Sequence, residues 1–286
     1  MQKYRYSAKL GDQEVVIETG TLARLASGAV TVRQGDSVML VTATASKNPR
    51  EGIDFFPLSV EYEERLYAAG RIPGSFFRRE GKPTDQAILV SRLVDRPLRP
   101  LFPHDMRNDV QIVLTAFARD PEHQMDILGI IGASAALMLS DIPWGGPIGA
   151  VRVGYIDGAI VVNPTTTQMA SSTLDLRLAG TADAILMVEA GSDEIPEDIM
   201  LEAMRAGHAA MQPVIQLQNQ MRAELGKAKF EYAAEKADET VQQTVREWLG
   251  GRVREALVDN PGKEAQYAAF DALRKELVAA LGEQHE

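Results

Sequence analysis

Alternating apolar and polar positions, separated by short turn sequences, mark the first part of the chain as a series of β-strands. Residues 4–10 and 15–19 alternate on either side of Gly11-Asp12, which predicts a β-hairpin. Three further segments are predicted as strands because they are apolar and bounded by turn residues, namely 29–32, 38–44 and 55–62. Residues 110–118 have the composition of a buried strand.

Helical spacing appears in three longer stretches. Residues 84–98 begin at a possible N-cap, Thr84, carry Ile88, Leu89 and Leu93, and are expected to end near Pro97. Residues 126–139 are rich in Ala, Gly and Leu, which predicts a helix packed closely on a sheet. A third helical pattern runs from 196 to about 226, and we expect Pro213 to interrupt it.

Strands return between these helices and then cease. Residues 148–155 and 159–163 predict a second hairpin, and 174–179 and 184–189 continue the sheet. Beyond Tyr232 only helical patterns remain, broken at Gly250-Gly251 and Pro261-Gly262. The predicted fold is α+β with a mixed sheet and packed helices over residues 1–228, followed by a small all-helical domain over 229–286.

Composition narrows the class of protein. The 286 residues include no cysteine and four scattered histidines, which excludes disulfides and thiolate metal sites. The N-terminus lacks a signal peptide pattern, and no apolar run reaches the length of a membrane helix. We therefore expect a soluble, cytoplasmic protein without a membrane partner.

The charges are unevenly distributed. The formal net charge is −10, yet residues 65–107 contain nine basic and four acidic side chains. Such a basic segment in an acidic chain concentrates anion binding in one region. The alternative is an ordinary solvated charged surface.

Two aromatic and two basic residues are adjacent at Phe76, Phe77, Arg78 and Arg79, with glycines at 74 and 81. The flanking Gly and Pro predict an exposed loop, and exposed rings next to guanidinium groups favour binding of single-stranded nucleic acid. The alternative is that one ring packs inward and the arginines form surface ion pairs.

Three further arginines, Arg92, Arg96 and Arg99, approach helical spacing and alternate with Asp95. They are candidate nucleic-acid-binding residues, although a salt-bridge network within the protein explains them equally well.

Five blocks are informative because of their order and spacing, namely residues 18–36, 54–58, 67–81 (which includes the Phe-Phe-Arg-Arg loop), 92–103 and 131–137. In these blocks the chain closely resembles bacterial polynucleotide phosphorylases. The resemblance covers most of residues 15–225. It implies that 1–228 form the first RNase PH-like domain and 229–286 an incomplete helical domain, so that we expect a longer polypeptide carrying a second repeat and RNA-binding modules.

The resemblance also implies an activity. Members of this family degrade RNA from its 3′ end with inorganic phosphate, release nucleoside diphosphates, and catalyse the reverse polymerisation. They use magnesium, and they form a homotrimeric ring whose pore takes single-stranded RNA past the loop that matches Phe76 to Arg79. An RNA-degradation complex is a further expected partner.

This repeat departs from the pattern of active repeats. Gln124, Met125 and Asp126 stand where those repeats have phosphate-binding serines. Asp175 matches one of two metal-binding aspartates, but Met169 stands at the other position, and a thioether is a poor ligand for magnesium. We therefore expect no catalytic residue and no metal in this segment, with the magnesium site in the second repeat.

Two other interpretations use the same residues. The chain could be a stand-alone, non-catalytic RNA-binding subunit of a ring or scaffold. Residues 129–134, Gly-Ile-Ile-Gly-Ala-Ser, superficially suggest the phosphate loop of a small-molecule kinase, but the lysine and glycine spacing of that motif is absent. Close packing of a helix on a sheet explains these small residues better.

Overall fold

A computed structural model describes residues 2–49, 52–71, 82–232 and 238–282. The chain folds into two compact units, Met1–Ala233 and Ala234–Glu286. The first unit contains all the strands of the described residues and their buried core. The predicted α+β fold is confirmed.

Six strands form the first sheet. They are β1 (Tyr4–Leu10), β2 (Gln13–Thr19), β3 (Gly28–Gln34), β4 (Ser37–Pro49), β5 (Leu58–Glu64) and β6 (Asn108–Ala118), in the order β1-β2-β3-β4-β6-β5. The pair of β5 and β6 is parallel and the other pairs are antiparallel, so the sheet is mixed. The hairpin at Gly11 is confirmed, and this glycine adopts a φ of 66°.

Four strands form a second, antiparallel sheet. They are β7 (Gly149–Ile156), β8 (Ala159–Val162), β9 (Leu174–Gly180) and β10 (Ile185–Ser192), in the order β10-β9-β7-β8. The sequence predicted that these strands continue one sheet, whereas the described strands divide into two.

The reason for two sheets is the helix between them. Helix α2 (Met125–Leu139) contacts β3 and β4 of the first sheet and β7 of the second, and each of its residues is buried. A helix that is apolar on all sides needs cover on all sides, which one sheet cannot provide.

Helix α1 (Asp85–Leu98) begins as predicted. The Thr84 hydroxyl accepts a hydrogen bond from the Ala87 backbone amide, and Pro97 lies in the last turn. The predicted apolar face is partly wrong, because Ile88 and Leu89 are exposed. The buried side is formed by Ala87, Val90, Leu93, Val94, Pro97 and Leu98, which turns positions 88 and 89 away from the core.

Two helices follow, α3 (Thr166–Met169) and α4 (Glu197–Leu225). The predicted interruption of α4 at Pro213 is wrong, since the helix is continuous. Proline removes one backbone donor, but the flanking Met211, Val214 and Ile215 are buried and hold this part of the helix on the second sheet.

The described part of the second unit contains three helices, α5 (Glu239–Leu249), α6 (Arg252–Val258) and α7 (Lys263–Leu281). Among residues 238–282 none is buried. The Arg252 guanidinium lies over the Trp248 ring, 4.2 Å from its centroid. None of the helices in the described part of the chain is both long and apolar enough to span a membrane.

Candidate nucleic-acid interface

A cleft of about 1010 Å³ opens between α1, the start of β5 and the β9–β10 edge of the second sheet. Four of the described arginines line it, namely Arg92 and Arg96 from α1, Arg99 directly after the last residue of α1, and Arg177 from β9. Their spacing on α1, four and then three residues, places the first three side chains along one side of the helix. The structure thus brings together the three helical arginines that the sequence singled out.

Arg99 is held within the protein. Its guanidinium donates to both carboxylate oxygens of Asp95, at 2.8 and 2.6 Å, and to the backbone carbonyl oxygens of Phe56 and Leu58, at 3.1 and 3.2 Å. Two strong charge-assisted bonds and two carbonyl bonds fix this side chain between α1 and the start of β5. For Arg99 the structure has the ion pair that the salt-bridge interpretation requires.

Arg96 reaches the second sheet. Its Nη2 donates to the Glu189 carboxylate of β10 at 2.9 Å, and both side chains are about half exposed. This is a single-point contact across solvent-accessible space rather than a buried pair.

Arg92 differs from both. It is exposed, lines the cleft, and within the described part of the chain it has no hydrogen-bonding or ion-pair partner. Its guanidinium is therefore available to an external anion, for which it is geometrically well suited.

Carboxylates surround the fourth arginine. Arg177 Nε donates to Asp126 Oδ2 at 2.9 Å, and its Nη1 lies 3.3 Å from Asp175 Oδ2 and 3.9 Å from Glu189 Oε1. Asp175 also receives two hydrogen bonds from Arg152, at 2.6 and 2.8 Å. Asp175 is therefore neutralised by two guanidinium groups.

These contacts bear on the question of a metal. Because Asp175 is already paired with two arginines and the Met169 side chain ends in a thioether instead of a carboxylate, the side chains at the two matched positions do not fit a magnesium ion. No cluster of three potential ligands suitable for a metal occurs among the described residues.

The start of α2 lacks the hydroxyls of a phosphate site. Gln124 is the N-cap without a side-chain cap bond, and Met125 is buried. Asp126 accepts from the Ile127 backbone amide at 2.8 Å and pairs with Arg177. A carboxylate at this position repels an anion instead of binding it.

The small residues within 129–134 allow close packing of the helix on the sheet, which is the interpretation that the sequence favoured. A Cβ on Gly132 would lie 2.6 Å from Val41 Cγ2, and one on Gly129 would lie 2.8 Å from Leu114 Cδ2. Ser134 is fully buried. Backbone and side chains of this segment are therefore closed to a phosphate ligand.

The predicted RNA-binding loop, with Phe76, Phe77, Arg78 and Arg79, lies outside the described residues. Its role stays a prediction.

Sequence reasoning missed Arg177 and Glu189 as members of the cleft. The register of the β9–β10 hairpin places them directly opposite each other. Opposite charges at facing positions of two adjacent strands were a usable signal, because cross-strand neighbours on one face interact.

Comparison with known proteins is consistent with this architecture. Two family models match the chain, domain 1 of the 3′ exoribonuclease family over residues 12–143 and domain 2 over residues 146–210. The chain belongs to the 3′ exoribonuclease family, whose two domains correspond to the two sheets described above.

Curated relatives add a more specific similarity. The chain is 51% identical to the polyribonucleotide nucleotidyltransferase of Roseiflexus sp. (strain RS-1) over 278 residues, which is 97% of this chain and 37% of the relative. It is also 51% identical over 278 residues to the corresponding protein of Dehalococcoides mccartyi (strain CBDB1), again 97% of this chain and 38% of the relative. The chain thus spans a little over a third of the length of these relatives.

A solved structure shares the fold. The crystal structure of rice (Oryza sativa) Rrp46 aligns with a TM-score of 0.56 and 14% identity, covering 77% of this chain and 94% of the rice chain.

Proposed function

We propose that this chain is a part of a phosphorolytic 3′→5′ exoribonuclease in which the repeat described here guides single-stranded RNA and does not cut it. The similarity to polyribonucleotide nucleotidyltransferases supports the activity of the whole protein, which uses inorganic phosphate and releases nucleoside diphosphates. Magnesium at another site, a homotrimeric ring, an RNA-degradation complex and a cytoplasmic location belong to the same proposal.

The observation that carries the guiding role is the contrast between Arg92 and Asp175. Arg92 presents to a large open cleft a guanidinium that no described residue pairs, whereas Asp175 is bound to Arg152 and Arg177. The Arg92 guanidinium can bind a phosphate, whereas the carboxylate of Asp175, at the metal-binding position of active repeats, is already neutralised. This combination suits binding of the phosphate backbone better than metal-assisted phosphoryl transfer.

The loop with Phe76, Phe77, Arg78 and Arg79 is proposed as a second contact with the strand. Bases stack on exposed aromatic rings for about 1–3 kcal/mol each, and arginines bind the phosphates between them. Arg92 and, after release of its ion pair, Arg96 would continue this path, while Arg99 shapes the cleft.

Binding of a fluorescent oligoadenylate tests the proposal. Arg92→Ala should weaken binding about 3- to 10-fold and reduce the slope of log K against log salt by about 0.7, the contribution of one phosphate contact to a single strand. Phe76→Ala with Phe77→Ala should weaken binding without changing the slope, because stacking releases no counterions. Arg205→Ala on α4, an exposed arginine outside the cleft, is the matched control.

A second readout separates guiding from catalysis. With poly(A), phosphate and magnesium, the 286-residue chain should bind RNA but release no nucleoside diphosphate. Robust turnover would contradict the non-catalytic role, and unchanged affinity in both sets of variants would contradict RNA guidance.

A further inference from the structure

Glu189 lies between two guanidinium groups in the cleft. One carboxylate oxygen accepts from Arg96 Nη2 at 2.9 Å, and the other lies 3.9 Å from Arg177 Nη1. Its position is set by the hairpin, since Glu189 faces Arg177 in the register of β9 and β10. A carboxylate so placed presents two oxygens to the cleft arginines, as a phosphate would.

Glu189 is one of several partners of Arg177 but the main partner of Arg96. Arg177 keeps closer partners in Asp126, at 2.9 Å, and Asp175, at 3.3 Å. Arg96 has Glu189 as its only ion-pair or hydrogen-bond partner in the described part of the chain. Removing the carboxylate therefore frees Arg96 and leaves Arg177 neutralised.

The Arg96–Glu189 contact is exchangeable. Its side chains are 49% and 48% exposed, and pairs this open to solvent contribute little to stability. Breaking the pair requires neither an opening of the core nor the loss of a buried bond. By contrast, Arg99 is fixed by four hydrogen bonds and cannot be released as easily.

We propose that Glu189 occupies the place of an RNA phosphate at Arg96 in the free protein and is displaced when the strand enters the cleft. The inference rests on the proposed function, because it concerns the same single-stranded ligand. Any anion that binds Arg96 must therefore compete with the Glu189 carboxylate. A strand that is held by several phosphates displaces Glu189 more readily than an isolated anion does. It makes the cleft selective for a polyanion without closing it.

Glu189→Gln is the direct test. It keeps the size of the side chain and removes the charge, so we expect the affinity for a fluorescein-labelled oligoadenylate to rise about 3- to 10-fold at low salt. The slope of log K against log salt should stay unchanged, since Arg96 binds a phosphate in both proteins once Glu189 is displaced. Adding Arg96→Ala to this variant should abolish the gain in affinity and reduce the slope by about 0.7.

Glu202→Gln provides the matched control. Glu202 is exposed on α4, and the substitution changes the net charge by the same amount at a site without an arginine partner among the described residues. It should leave affinity and slope unchanged. Glu189→Ala, with thermal unfolding to verify the fold, repeats the test with a second side chain.

The outcomes separate this inference from the proposed function. If Arg92→Ala weakens binding while Glu189→Gln and Glu189→Ala bind as the unchanged protein does, the displacement of Glu189 is wrong and RNA guidance stands. If Glu202→Gln tightens binding equally, the effect is one of net charge and the inference is again wrong. If the unchanged protein does not bind the oligoadenylate, both fail.

Discussion

Ser134 connects three elements through one buried hydroxyl. Its Oγ donates to Gln218 Oε1 on α4 at 2.5 Å and accepts from the Ile148 backbone amide at 3.0 Å. Gln218 completes the network by donating to the carbonyl oxygens of Ile148 and Val214. Both side chains are fully buried, so their polar atoms depend on one another for hydrogen bonds.

Ser134→Ala should lower the free energy of unfolding by about 1–3 kcal/mol, because it leaves a buried amide oxygen and a buried backbone amide without partners. Urea unfolding followed by circular dichroism measures the change. Ser59→Ala, at an exposed serine of β5, should change stability by less than about 0.5 kcal/mol. Equal effects of the two substitutions would show that the network contributes nothing.

At this scale the sequence could identify side chains but not their partners. Arg92, Arg96 and Arg99 were recognisable from spacing alone, and so was the possibility of ion pairs with Asp95. The contact of Arg96 with Glu189 could not be predicted, because it joins residues 93 positions apart in different elements. Such a pair depends on how α1 and β10 are brought together, which no local pattern specifies.

Helix α2 determines the packing of the first unit. Its glycines allow the helix to approach the sheet closely, and a Cβ on Gly132 would lie 2.6 Å from Val41 Cγ2 and 2.9 Å from Val32 Cγ1. Both valines are buried, on β4 and β3, and have little space into which to move.

Gly132→Ala should therefore destabilise the protein by about 1–3 kcal/mol through overpacking, although alanine is the better helix former by about 1 kcal/mol. Thermal unfolding measures the result. Gly191→Ala in β10, where an added Cβ meets no atom within 4 Å, is the control and should have little effect. A stabilised Gly132→Ala protein would mean that the helix can shift away from the sheet at low cost.

The boundaries of most elements could be predicted, whereas their arrangement could not. The hairpin at Gly11 and the cap at Thr84 follow from local chemistry, and both are confirmed. The division into two sheets and the continuity of α4 through Pro213 depend on packing around α2 and on the second sheet. Tertiary contacts outweighed the local signal in both cases.

Polar contacts also join the segments that connect the strands of the two sheets. Glu122, in the segment before α2, accepts from the Thr167 hydroxyl at 2.8 Å and from the Thr167 backbone amide at 3.1 Å, at the start of α3. These bonds lower the pKa of the Glu122 carboxyl from its ordinary value of 4.5. The charged form is thus favoured in the folded protein.

This shift predicts a pH dependence of stability. A carboxyl whose pKa is lower in the folded protein stabilises the fold when the pH is above its pKa in the unfolded chain. This stabilisation disappears as the pH falls through the pKa of the folded protein. Glu122→Gln should therefore be less stable than the unchanged protein at pH 7, and the difference should narrow as the pH falls below about 4.5. Urea midpoints across this range measure it, with Glu202→Gln as the control. A difference independent of pH would exclude the carboxylate charge as its cause.

The order of strands in the first sheet has a consequence for the newly made chain. Strand β4 hydrogen-bonds to β3 on one side and to β6 on the other, and β6 leaves the ribosome about 60 residues after β4, a delay of several seconds at ordinary rates of synthesis. Helix α2, which packs on the apolar face of this sheet, is synthesised later still. During this interval the nascent meander of β1 to β4 has an unpaired edge and an uncovered apolar face, the two features that most expose a partly made sheet to aggregation.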